Sequence, residues 1–234
     1  AALPSTANVK KSMRKLSGRY ICLFNRIRMK QIRPMFLETI CIENGAVRNL
    51  QTHVERMRRT AEHFGFAAPE LPCLEVMLSE PLRDKKVKCR IEYKGTICNI
   101  GFTAYTPKVI RSLRLVEADN VDYSFKFSDR ARLDALNNRR GQCDEALIVQ
   151  NGCITDTTYS NVVFRKNKEF FTPGTCLLNG TKRQKLLRES IIREAEITVD
   201  NLHEYEHVYL INSMLDIEDG VGIPVRNIYP SGHW

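Results

Sequence analysis

Two Asn-Gly dipeptides, Asn44-Gly45 and Asn151-Gly152, each stand between apolar runs, and they limit the possible folds more than any other feature of the chain. Both residues of such a pair tolerate a positive φ, which a two-residue hairpin needs if its turn is to match the twist of the strands. "MFLETICIENGAVRNL" therefore predicts two strands about the first pair, and "DEALIVQNGCITD" two more about the second. Alternation in "KVKCRIEYKGTICNIGFTAYTP" predicts a further hairpin and closes a compact α/β unit near Pro107.

Helical periodicity fills the intervals. In "LQTHVERMRRTAEHFGF" the residues Val54, Met57, Ala61 and Phe64 recur at helical spacing up to a stop at Gly65, with Arg56 on the polar face. A loop with Pro69 and Pro72 leads to a short helical stretch. Past a junction near residues 106–112, "SLRLVEA" reads as a strand, "DYSFKFSDR" as a polar connection, and Leu133, Leu136 and Asn137 as a helix. "EFFTPGTCLLNGTKRQKLLRESIIREA" runs strand, loop and a helix starting near Thr181, with Leu186, Leu187, Ile191 and Ile192 inward; "HVYLINSMLDI" is the last buried strand. The expectation is an α/β (α+β) protein of two lobes, a small one at 35–107 and a larger one at 108–234, behind a basic extension at 1–34.

The 36 basic residues exceed the 27 acidic ones by nine. Nine basic residues (Lys10, Lys11, Arg14, Lys15, Arg19, Arg26, Arg28, Lys30 and Arg33) fall in 1–34, which contains no acid, so the remainder is neutral. A nucleic-acid-binding body thereby loses its main support, and any such role is confined to the extension. The extension, poor in acid and holding Ser and Arg, is compatible with an organelle transit peptide, or with a start codon further along at Met29 or Met35; a surface arm is the favoured reading. "YICLF" is too short and too late for a secretory core, and no apolar run approaches the ~18 residues of a membrane helix. The eight cysteines form no Cys-x-x-Cys and no spacing that pairs with histidines, so no metal is expected and a reducing cytosol is the expected compartment.

Asp156 raises the chemical question. It follows Ile154 and precedes Val162, Val163 and Phe164, at the point where its segment enters the interior. A carboxylate taken there is costly unless a positive group meets it. Three other features invite a chemical reading. Lys126, between Phe125 and Phe127, is ordinarily a surface lysine with its stem on apolar neighbours, but an aromatic surround also lowers a lysine pKa and leaves a nucleophilic amine. Gly180-Thr181 in "LLNGTKR" is either a plain cap or a helix N-terminus suited to phosphate. Arg56 alone is a solvated arginine.

Taken in order, these features resemble the class IV pyridoxal-phosphate enzymes (fold type IV), which include branched-chain and D-amino-acid aminotransferases and 4-amino-4-deoxychorismate lyase. The segment "DEALIVQNGCITDTTYSNVVFRKNKEFFTPGTCLLNGTKR" is similar to that family's pattern of an acid, a polar cluster ending Ser-Asn, a Thr-Pro, and Leu-x-Gly-(Ile/Val/Thr)-x-Arg opening a helix. "THVERM" looks like its His-x-x-Arg-Leu helix and "FLETICIENG" like its N-terminal strand, so the likeness runs from about Phe36 to the C-terminus; the usual opening hairpin is missing. The resemblance implies that Asp156 faces the protonated ring nitrogen of pyridoxal 5′-phosphate, where the family usually has the longer Glu. It implies that Lys126 carries the cofactor covalently and, once substrate displaces it, moves the proton. Arg56 and the N–H groups of Thr181 and Lys182, beyond Gly180, would hold the phosphate. Leu178 would pack on the ring face, and Ser213 or Met214 in "INSMLD" would border the phosphate.

For the reaction, "KFSDR" resembles the Lys-x-x-Asn-Arg of the lyases more than the Lys-x-x-x-Asn-Tyr of branched-chain enzymes, and Thr39 falls where the lyase has a threonine near its lysine. "EYKGTICN" lacks the Arg-Gly and following Arg-x-His or Arg-x-Tyr with which D-amino-acid transaminases and lyases read carboxylates. The resemblance thus points to 4-amino-4-deoxychorismate lyase, which forms 4-aminobenzoate and pyruvate in folate biosynthesis, with a class IV aminotransferase as the alternative. Outside enzymes the alternative is a cofactor-free binding protein on the same fold, against which the presence of both Lys126 and Asp156 speaks. The implied partners are a small amino substrate and a second copy in a homodimer, with no specific nucleic acid, no membrane and a cytoplasmic location.

Overall fold

The computed structural model describes residues 34–232; residues 1–33 of the basic extension, with all nine of its basic side chains, lie outside them. A four-stranded antiparallel sheet in the order β2-β1-β3-β4 comes first, made of β1 (Phe36–Glu43), β2 (Ala46–Val47), β3 (Lys86–Tyr93) and β4 (Ile97–Ala104). Asn44 and Gly45 turn the first hairpin with φ of 52° and 73°, the backbone that Asn-Gly was expected to supply. Strand alternation buries Phe36, Ile40 and Ile42 of β1 with Val87, Cys89, Ile91 and Tyr93 of β3, and Glu38 shares their parity. Helix α1 (Leu50–His63) adds Met57 to Phe36 and Tyr93, and faces inward with Thr52, His53, Arg56, Met57, Thr60 and Ala61. Arg56 is therefore on the buried face, not the polar one. Four of those six inward residues are polar, and a periodicity read from apolar residues alone misplaces the stripe.

The second sheet runs β10-β9-β8-β7-β6-β5-β13, with β11 also on β8 and β12 on β11. Its strands are β5 (Leu113–Glu117), β6 (Glu145–Gln150), β7 (Cys153–Thr157), β8 (Asn161–Lys166), β9 (Glu169–Pro173), β10 (Arg193–Ala195), β11 (His207–Ile211), β12 (Gly222–Pro224) and β13 (Ile228–Tyr229). Helix α2 (Ala131–Asn138) lies on the crossover between the parallel pair β5 and β6. Leu113, Leu147, Val162, Phe164 and Val208 form the centre of its largest core cluster. Two expectations are corrected here. Helix α3 (Thr181–Arg188) stops before Ile191 and Ile192: Ser190 takes φ 56°, its N–H donates to Leu187 O at 3.0 Å, and Ile191 N donates to Leu186 O at 2.9 Å. Those two bonds close a helix, and they leave Ile191 44% exposed. The strand β11 is not the last, because β12 and β13, three and two residues long, follow it and are too short to show a period. Gly222 allows that pairing, since a Cβ there would lie 2.2 Å from Val208 O. No helix of the described residues is long and apolar enough to cross a membrane, and the seven cysteines among them are free.

Candidate active site

Lys126 is positioned by backbone and aromatic contacts together. Leu37 N donates to Lys126 O at 2.9 Å and Ser128 N to Met35 O at 2.8 Å, so residues 126–128 extend the edge of β1. The rings of Phe125 and Phe127 flank the lysine in sequence and pack against Phe64 and Phe36, with centroids 5.0 and 5.4 Å apart. The side chain is thus directed into a cavity that Arg56, Asp156, Leu178, Thr181 and Ser213 also line. Burial, followed by the charge of Arg56, brings the Lys126 amine down to about 7, with Glu38 opposing and Arg130 and Arg90 adding to the fall. An amine in that range exchanges its proton readily near neutral pH.

Asp156 reaches the same cavity from the end of β7. Its register partner across the turn to β8 is Asn161. Asn161 Nδ2 donates to Asp156 Oδ1 and to Leu178 O, both at 2.8 Å, and Leu178 N donates to Asp156 Oδ2 at 2.9 Å. Burial nevertheless outweighs these bonds and raises the carboxyl to about 6. A cationic ring nitrogen would relieve that cost, which answers the question the sequence posed. Gly180 belongs to the same knot: a Cβ there would stand 2.1 Å from Asn161 Oδ1.

Arg56 approaches from α1, gripped by a carboxylate that sequence reasoning missed. Glu38, wholly buried, accepts Arg56 Nε at 2.8 Å and Nη2 at 2.5 Å, and its Oε2 lies 2.6 Å from His53 Nδ1. Burial alone would raise Glu38, but the Arg56 charge and the hydrogen bonds from His53 and Arg56 prevail and hold it at about 2. His53 Nε2 lies 3.3 Å from Thr181 Oγ1, so the network extends to the start of α3. The signal for Glu38 was its parity with Phe36, Ile40 and Ile42 on the buried face of β1.

The remaining predicted residues are distributed as follows. Gly180 is the N-cap of α3 and forms no side-chain cap bond, so the N–H groups of the first turn are left to other acceptors. The side chain of Lys182 turns away from this cavity to pair with Asp216 and lines a neighbouring one, leaving only its backbone N–H for the role assigned to it. Ser213 lines both cavities and Met214 only the neighbouring one. Thr39 is half-buried on the opposite face of β1 from Glu38, across from Arg90, and is not among the cavity-lining residues. Tyr123 and Asn212, to which sequence reasoning assigned no role, do line it, as does Arg130, the arginine of "KFSDR".

The donor set is bipolar. Arg56, the start of α3 and Ser213 suit an anion, Asp156 suits a cationic nitrogen, and a near-neutral lysine lies among the same residues. Those residues fit pyridoxal phosphate.

The chain belongs to the class IV aminotransferases: the model of that family (amino-transferase class IV) matches residues 35–226. Members are pyridoxal-phosphate-dependent enzymes, and so is this protein. It is 38% identical over 184 residues to an uncharacterized protein of Haemophilus influenzae, covering 77% of this chain and 97% of the relative. A crystal structure from Haemophilus somnus, provisionally described as a 4-amino-4-deoxychorismate lyase, superposes with a TM-score of 0.69 at 33% identity, covering 78% of this chain and 97% of that one. A Schizosaccharomyces pombe protein provisionally named aminodeoxychorismate lyase is 27% identical over 198 residues, 76% of this chain and 85% of the relative.

Proposed function

We propose that the protein is a lyase that converts 4-amino-4-deoxychorismate to 4-aminobenzoate and pyruvate, a step of folate biosynthesis. The observation that carries the reading is the convergence of Lys126 and Asp156 on one cavity with Arg56 and the start of α3. The relatives provisionally named as lyases support this choice of reaction. Pyridoxal phosphate, held by Lys126, Asp156, Arg56, Ser213 and the first N–H groups of α3, supplies an electron sink for the charge that develops at the carbon bearing the amine. The Lys126 amine takes the proton from that carbon, the C–O bond to the enolpyruvyl group breaks, and the departing enol is protonated to pyruvate. Asp156 keeps a positive charge on the ring nitrogen, and Leu178 covers a ring face. Lys126, with its pKa near neutrality, is able to move the proton in both directions.

A second reading, transamination of an amino acid, is favoured by the matching family model being that of the aminotransferases. The two diverge only in where the proton returns and whether a neighbouring group leaves. Incubation with 4-amino-4-deoxychorismate should release pyruvate and 4-aminobenzoate in equal amounts. Amino-group transfer from L- or D-amino acids to 2-oxoglutarate, without that release, would favour the second reading. On the same family grounds we take residues 35–107 and 108–234 as two lobes of a cytoplasmic homodimer that acts on a small amino substrate and recognises no specific nucleic acid.

A further inference from the structure

Substrates of the proposed class carry carboxylates, and a carboxylate entering a partly buried site needs a cation that is not already neutralised. Most cations near the cavity are matched. Arg56 is held by buried Glu38, Lys182 pairs with Asp216, and the Lys126 amine sits near neutrality. Arg130 differs. It lines the cavity, its Nη2 is anchored on Thr158 O at 2.8 Å, and its carboxylate neighbour Asp134 is 3.9 Å away and 66% exposed. An exposed pair at that separation is weak, and the guanidinium remains able to meet another anion.

Arg90 stands beside the same segment but does not line the cavity and is paired with Glu92 at 2.8 Å, so it braces the segment rather than receiving the substrate. It projects from β3 on the face it shares with Thr39, its register partner on β1. Arg90 Nη2 donates to Glu92 Oε1 at 2.8 Å and to Ser128 Oγ at 3.4 Å, and Ser128 Oγ donates to the same Glu92 oxygen at 2.9 Å. Ser128 lies midway between Lys126 and Arg130 in the chain. The Glu92–Ser128 pair thus fixes one edge of the Arg90 guanidinium against the segment that bears both Lys126 and Arg130, and leaves Nε and Nη1 outside that contact. Both arginines also act on the Lys126 amine, after burial and Arg56, in holding it down.

We propose that Arg130 is the carboxylate-recognition residue for the amino substrate, taking the place of the Arg-x-His or Arg-x-Tyr reader that "EYKGTICN" lacks. The site requires an anionic carboxylate on the amino substrate, and it rejects the neutral amide of the same shape. The assignment deepens the lyase reading and rests on it for the identity of the ring substrate, though not for the recognition of a carboxylate.

The test compares binding to cofactor-loaded protein of two matched pairs, 4-aminobenzoate with 4-aminobenzamide and L-alanine with L-alaninamide, by calorimetry and by the cofactor absorbance band. Wild type should prefer the carboxylate of at least one pair by about tenfold or more, and Arg130→Gln should remove most of that preference while changing amide affinity by less than about twofold. Arg130→Lys should restore part of it. Preference in the ring pair supports both the site and the lyase reading. Preference only in the alanine pair, lost in Arg130→Gln, keeps the site and replaces the lyase reading by transamination. No preference in wild type, or a preference that survives Arg130→Gln, overturns the site. So does a shift of the cofactor band in Arg130→Gln with the carboxylate preference unchanged, which would place Arg130 on the cofactor instead.

Discussion

Substituting Glu38 by Gln probes how the phosphate-facing arginine is held. The carboxylate is wholly buried and meets Arg56 at 2.8 and 2.5 Å and His53 at 2.6 Å. Its fall from the ordinary 4.5 to about 2 corresponds to roughly 3.4 kcal/mol favouring the charged form in the folded state. Because the folded-state pKa is depressed, this stability is complete above pH 4.5 and is lost as the pH falls towards 2. Seen from the partner, the substitution leaves the Arg56 guanidinium buried without its counter-charge, which costs ~3–5 kcal/mol in comparable pairs. The two routes agree on a loss of about 3–4 kcal/mol in urea unfolding at pH 7, with weaker cofactor binding as a consequence. The gap between variant and wild type should narrow below pH 4.5 and close near pH 2. Asp156, raised to about 6, works with the opposite sign and destabilises the free protein progressively above pH 3.8. Both proteins carry it, so it cancels in the difference. A loss below about 1 kcal/mol at pH 7, or a gap that does not narrow in acid, would refute the assigned role of Glu38.

Three further outcomes are expected. Asp156→Asn should retain the cofactor but cut turnover by about a thousandfold, since opposite charges ~4 Å apart at an effective dielectric of ~20 are worth ~4 kcal/mol; Asp156→Glu should keep far more activity, and equal rates for Asn and Asp in steady-state assays would remove the charge role. The rate at which pyridoxal phosphate attaches to the cofactor-free protein should rise about tenfold per pH unit below 7 and level off above it, because the reactive form is the neutral Lys126 amine with its pKa of about 7; stopped-flow absorbance checks this. Gly180→Ala should destabilise the protein by ~1–3 kcal/mol and loosen Asp156, because the new methyl would displace an Asn161 side chain held by two hydrogen bonds; thermal unfolding with and without cofactor reads both effects.

Much of this was legible in the chain because local chemistry and the final fold agree. Asn44-Gly45 and Asn151-Gly152 specify their turns through backbone conformations few other residues adopt, so no distant contact was needed to find the hairpins. The order of Lys126, Asp156 and Gly180-Thr181 pointed to one site because three separate elements bring them to a single cavity. What stayed hidden was what depends on partners far apart in sequence. Arg56 reads as solvated until Glu38, on a strand 18 residues earlier, is seen beneath it. The early end of α3 rests on the left-handed Ser190, a residue with no strong preference for that conformation. Strands β12 and β13 exist only because β11 and β5 offer free edges to pair with.

The central claim is that Lys126 carries pyridoxal phosphate in the cavity it shares with Asp156. Its most direct test is borohydride reduction of the cofactor-loaded protein followed by peptide mass mapping. The phosphopyridoxyl group should be found on Lys126, and Lys126→Ala should yield no reduced adduct and no visible absorbance band. A stoichiometric adduct on another lysine, or an unchanged adduct in Lys126→Ala, would contradict it.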